Sequence, residues 1–76
     1  MSRQVVFPEL EAAMARCGDK QADVADLLGL NVAQVSRRLS GSVEWRDREI
    51  RLMCERYGKP YEILFDKDVT AVAANG

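Results

Sequence analysis

Three features of this sequence predict an all-α domain. Apolar residues recur at three- and four-residue spacing through most of its length, the period of a helix with one buried face. Glycines at 18, 29 and 58 fall just past those stretches, where helices commonly end. A chain of 76 residues, 47% hydrophobic and 30% charged, suits one small core and leaves no room for a wound α/β sheet or a two-lobed enzyme. A chain of this size buries only about 60% of the surface it exposes when unfolded. A partner, a dimer mate or a ligand would therefore add to its stability.

Each element has its own signals. Residues 1–7 read as a short N-terminal arm with a β-tolerant core of Val5, Val6 and Phe7. Pro8 suits the first turn of a helix, where its missing N–H is not needed. Leu10, Ala13, Met14 and Cys17 then fall on one face of that helix, which stops at Gly18. A second helix is predicted from Gln21 to Leu28, with Val24, Ala25 and Leu28 inward and Gly29 at its end. Asn31 is a sound N-cap for a third, reaching Leu39 with Val35 and Leu39 inside, before Ser40, Gly41 and Ser42 break it. A fourth covers Asp47 to Arg56 and presents Ile50, Met53, Cys54 and Tyr57. Gly58 closes it, and Pro60 opens a last short turn ending near Phe65. Helical core therefore spans residues 8–65 of a single domain, and the tail, 66–76, ends in VTAVAANG, which carries no readable pattern.

Composition excludes several kinds of chemistry. There is no His, so the commonest general base and the commonest metal ligand are both missing. Cys17 and Cys54 form no CxxC pair and read as small buried hydrophobes, not as a zinc site or a disulfide framework. No carboxylate sits with a base, a glycine-rich loop or metal-ligand spacing, so the expectation is a protein that is not an enzyme and needs no metal or cofactor. No apolar run approaches about 18 residues and no basic-then-apolar leader opens the chain, which leads us to expect a cytoplasmic protein without a membrane partner.

The informative stretch is Gln21 to Leu39. Two short helices joined through Leu28, Gly29, Leu30 and Asn31 have the turn length and chemistry of a helix-turn-helix unit. Ala25 is small where the two helices would cross, and Leu30 and Val35 would bury the second helix against the first. Val32, Ala33, Ser36 and Arg37 are left facing outward. A donor-rich Arg, a hydroxyl and two apolar groups able to touch thymine methyls are what a reader of the major groove needs.

The run GDKQADVADLLGLNVAQVSRRLSG resembles the Cro/repressor (XRE-type) helix-turn-helix family of phage and bacterial regulators, and EWRDREIRLMCERYGKPYEILF resembles that family's fourth and fifth helices. The resemblance covers about residues 10 to 65 and implies a four- to five-helix domain like that of the lambda repressor. It further implies that Gln21 binds a DNA phosphate and that Val32, Ala33, Ser36 and Arg37 read bases from the recognition helix. The loop after that helix, with Ser40, Ser42 and Val43, is implied to bring backbone N–H groups toward phosphates. Arg38 and Arg46 are further phosphate candidates, Arg38 with the alternative of pairing an acid such as Glu11.

Two departures from the family pattern bear on the fold. Lys20, Arg46 and Lys59 stand where a capping Thr or Ser is usual, and none can accept a hydrogen bond from a helix N-terminus. Asp19 and Asp47 are the expected substitutes, each one residue away, and Lys20 and Arg46 are the cations placed to reach phosphate. Met14 and Leu39 replace an Arg and a Glu that pair between the first and third helices in many members, so they are expected to touch as an apolar pair.

Charge distribution bears on partners. Lys and Arg total 11 against 12 Asp and Glu, a net charge of −1. Residues 31–51 nevertheless hold five Arg against three acids, with Arg37, Arg38, Arg46, Arg48 and Arg51 in the segment of the expected groove-facing helix and the loop after it. Trp45, Tyr57 and Tyr61 read as packing residues at the core or its edge. Two classes of function stay open. The first is a sequence-specific regulator of transcription, a phage- or prophage-type repressor or Cro-like protein occupying an operator in double-stranded DNA. The alternative is a protein-interaction module on the same fold, antitoxin-like or a recruitment domain. On the first reading a weak homodimer tightened by DNA is expected, held by the region around Tyr57, Tyr61 and Phe65 or by the ends at Val5–Phe7 and Val69–Val72.

Overall fold

A computed structural model describes residues 5–68, which fold into five helices with no strand among them. In chain order these are α1 (Pro8–Cys17), α2 (Gln21–Leu28), α3 (Val32–Leu39), α4 (Asp47–Tyr57) and α5 (Tyr61–Leu64). The predicted all-α class and the five predicted elements are present, with α4 one residue longer than its periodicity suggested. Val69–Val72, the alternative dimer contact at the C-terminal end, lies outside the described residues.

Polar side chains at the third helical position close three helix starts. Asn31 and Gln34 form a reciprocal box at α3: Gln34 N–H donates to Asn31 Oδ1 at 2.8 Å, and Asn31 N–H donates to Gln34 Oε1 at 2.9 Å. At α2 and α4 the N-cap residues are Lys20 and Arg46, which have no acceptor, and only the returning half of the box exists. Lys20 N–H donates to Asp23 Oδ2 at 2.8 Å, and Arg46 N–H donates to Glu49 Oε1 at 3.0 Å. The expected substitutes, Asp19 and Asp47, do not cap. Asp47 is already inside α4, and Asp19 is engaged by two side chains from the far end of that helix.

One cluster forms the core. Leu10, Ala13 and Met14 from α1, Val24, Ala25 and Leu28 from α2, Val35 and Leu39 from α3, Met53 from α4 and Leu64 from α5 are all buried in it. Val6 and Phe7 join them, 1% and 5% exposed, so these two residues of the expected arm belong to the core, while residues 1–4 lie outside the described residues. Phe7 packs edge-on against Trp45 and Phe65, each at 6.2 Å between ring centroids. Val6 O accepts a 2.7 Å hydrogen bond from Asp68 N–H, so both ends of the described chain are held together. Apolar Val and Phe at the N-terminus have a core to fill and do not remain as a free edge. Trp45 packs on Phe65 as well, at 5.6 Å, in keeping with a packing role.

One expectation for the core fails and another is met only in part. Cys17 is exposed, and the buried stripe of α1 ends at Met14. Met14 and Leu39 are both buried in the shared core cluster, as an apolar pair should be, although the α1 and α3 backbones do not approach closely. Helix α3 packs mainly on α2, and α1 on α4 and α5.

Candidate nucleic-acid interface

Helices α2 and α3 are joined by Gly29, Leu30 and Asn31. Gly29 adopts φ +71°, a left-handed conformation that a side chain would strain, and Leu30 N–H closes back on Ala25 O at 2.9 Å. That single reversal turns the chain from one helix into the next, and Asn31 caps the second at once. Val35 and Leu39 press α3 into the core at 0% and 2% exposure. The opposite face carries Val32, 47% exposed, with Ala33, Ser36 and Arg37, all of them exposed as the sequence predicts. Among the described residues the Arg37 guanidinium has no hydrogen-bond or ion-pair partner.

Arg38 is elsewhere. It is 6% exposed, its Nε lies 2.8 Å from Glu49 Oε1, and its Nη1 donates to Gln34 O at 3.2 Å. This corrects its assignment as a phosphate contact, and the acid it pairs with is Glu49, not Glu11. The physical reason is helical phase, since Arg38 follows Val35 by three residues and precedes Leu39, and so falls on the inner face. The same Glu49 oxygen takes the Arg46 N–H, so one carboxylate both caps α4 and holds α3 against it.

The loop after α3 also departs from expectation. The N–H groups of Ser40, Gly41, Ser42 and Val43 donate to Ser36 O, Arg38 O and Arg37 O at 2.9–3.3 Å. Carbonyls at a helix C-terminus need such donors, and these amides are not free for phosphates. Ser42 keeps its exposed hydroxyl, 3.0 Å from Ser40 Oγ. Arg46 is exposed just before α4, and Gln21 is half-buried at the start of α2. Arg48 donates to Leu28 O at 3.1 Å and so serves the end of α2.

A second polar group was not foreseen in the sequence. Asp19 accepts two hydrogen bonds from Arg56, at 3.0 and 2.8 Å, and one from the Tyr57 hydroxyl at 2.8 Å. The Arg56 hydrogen bonds hold the Asp19 carboxyl below the usual carboxylate range, against the opposing effect of burial and with help from Tyr57. Burial first, and then the Asp19 carboxylate, push the Tyr57 hydroxyl up. The group ties the α1–α2 junction to the end of α4. No local pattern announces a pairing so distant in sequence.

Among the described residues, no three His, Cys, Asp or Glu side chains are placed to share a metal ion, and no helix is long and apolar enough to cross a membrane. The fold and this face define a small all-helical domain built around a short two-helix reversal whose second helix shows an unpartnered mixed surface. A model of the BetR domain matches residues 6–75, nearly the whole chain, and the protein belongs to that family. No curated protein and no solved structure gave a match.

Proposed function

We propose that this BetR domain is a sequence-specific double-stranded DNA-binding regulator of transcription that lays α3 in the major groove. One observation carries the reading. The α3 face of Val32, Ala33, Ser36 and Arg37 is exposed and unpartnered while the rest of that helix is fixed by the core and by the Arg38–Glu49 pair. A rigid helix with an unengaged guanidinium, a hydroxyl and two aliphatic groups complements base edges. Exposed Arg46 and Arg51 add positive charge nearby in sequence, offset in part by Glu44 and Asp47, so affinity would rest on base contacts more than on bulk electrostatics. Such a protein acts where the DNA is, in the cytoplasm of a bacterial or phage-infected cell, by occupying an operator as a repressor or Cro-like protein does. Catalysis forms no part of the reading.

One α3 helix spans about half a turn of duplex, so two copies on half-sites about 34 Å apart would roughly double the contacts. Tyr61 and Ile63, 57% and 47% exposed on α5, favour a weak protein contact there, while Phe65 is buried and unavailable. The same exposed pair is what favours the alternative reading, a protein-interaction module. Selection of the full chain on random duplexes, followed by binding at several salt concentrations, tests the proposal. Enrichment of a defined site is expected, with Arg37→Ala weakening it by about 1–3 kcal/mol and relaxing preference at one position. Absence of any enriched site, or an Arg37→Ala variant that binds like the parent, would refute it.

A further inference from the structure

We infer that the α3 face selects its site chiefly through thymine methyl groups, with one guanine contact from Arg37. The inference rests on the duplex-binding reading and deepens it. Asn31, Gln34, Ser36, Arg37 and Arg38 are the polar residues of α3 and its cap that could in principle read a base. Three of them are committed to the fold. An Asn or Gln recognises adenine by using its amide oxygen and nitrogen together against N6 and N7. Here the Asn31 oxygen accepts the Gln34 N–H at 2.8 Å and the Gln34 oxygen accepts the Asn31 N–H at 2.9 Å. Turning either amide toward a base would uncap the helix being presented. Arg38 is buried against Glu49.

Ser36, Arg37 and the aliphatic pair Val32 and Ala33 remain. Val32 and Ala33 stand in the first turn, the part of a recognition helix that contacts base edges. An aliphatic side chain placed against the edge of adenine, guanine or cytosine leaves that edge's polar groups without partners, whereas the thymine C5 methyl gains from the contact. The first turn therefore favours thymine. Arg37, one turn further on and without a partner, is the group able to take guanine O6 and N7 together.

The test uses the full chain and the duplex it enriches. Replacing thymine by deoxyuridine, one position at a time, should weaken binding about fourfold at each contacted methyl, the factor that burying one such group is worth. Val32→Ala, a change at an exposed site that circular dichroism should show to be folded, should abolish that sensitivity at one position. It should leave dependence on guanine N7, probed with 7-deazaguanine, unchanged. A duplex bound equally well with deoxyuridine throughout would overturn the inference. So would loss of affinity on 7-deazaadenine at positions facing the start of α3, since Asn31 or Gln34 would then be reading adenine. Failure to enrich any duplex would instead remove the duplex-binding reading itself.

Discussion

Replacing Glu49 with Leu should bring this domain close to unfolding, although only one side chain changes. The Glu49 and Arg38 side chains are 4% and 7% exposed, and Nε meets Oε1 at 2.8 Å. Removing the carboxylate leaves a buried guanidinium whose remaining hydrogen bond is to Gln34 O at 3.2 Å, and breaking such a pair costs about 3–5 kcal/mol. The α4 cap is lost as well, because the Arg46 N–H also ends on Glu49, which adds about 1 kcal/mol. Domains of this length are stable by roughly 4–11 kcal/mol in total, so Glu49→Leu should consume much or all of that margin. Adding Arg38→Met removes the stranded charge and fills the space with apolar atoms. Such replacement of a whole buried pair is often neutral, and the double variant should recover at least about 2 kcal/mol over Glu49→Leu. Urea titration followed by the fluorescence of Trp45, the sole tryptophan, and by helical circular dichroism measures all three proteins. A Glu49→Leu loss under about 1 kcal/mol would mean that water reaches the pair. A double variant no more stable than the single one would mean that the cap, not the charge, dominates.

Other outcomes follow from single groups. Asp19 has a lowered carboxyl pKa in the folded state, so the unfolded chain binds its proton more readily and the carboxylate's contribution is present above the ordinary value of 3.8. That contribution is lost as pH falls further, through the folded value; Asp19→Asn should be the less stable protein at pH 7, with the gap closing at strongly acid pH in urea titrations, and a gap independent of pH would refute the reasoning. Exposed Cys17 should react rapidly with a disulfide reagent in the native protein. Cys54, whose thiol is pushed up by burial and by the nearby Glu62 charge, should react only slowly, so equal rates would contradict the structure. On the enriched duplex, Arg46→Ala should reduce the slope of log affinity against log salt by about 1, and Lys20→Ala should change it less.

Helical phase carried most of the fold. The buried sets of α2 and α3 and the termini at Gly18, Gly29 and Gly58 follow from period and end signals, and so does the outward face of α3. Arg38 was legible by the same rule, as the residue between Val35 and Leu39 on the inner side, but its charge suggested the outside. Deciding between them requires knowing that Glu49 waits across the interface, and that is a tertiary fact. Capping was half-legible: Lys20 and Arg46 were recognisable as poor caps, and Asp23 and Glu49 stood three residues on, yet the acids adjacent in sequence drew the assignment. The backbone donors of residues 40–43 and the Asp19 group depend on how loop and helix ends meet in space, which no local pattern records.

The returning carboxylates also distinguish the two helix starts as neighbours for phosphate. A helix N-terminus attracts an anion through its free N–H groups and the macrodipole. An acid in the first turn weakens that attraction unless its own charge is balanced. At α2 the acid is Asp23, exposed and bound to a backbone N–H, so its negative charge faces whatever approaches Lys20 and Gln21. At α4 it is Glu49, buried and neutralised by Arg38, while exposed Asp47 in the same turn offsets part of the gain. Arg46 therefore stands at a helix start whose capping charge is already compensated, whereas Lys20 stands beside one that is not. This asymmetry is why the salt dependence should fall more on removing Arg46, and it gives the Arg38–Glu49 pair a consequence beyond stability. By balancing Glu49 internally, Arg38 leaves the positive charge of Arg46 available to the duplex that α3 is proposed to read.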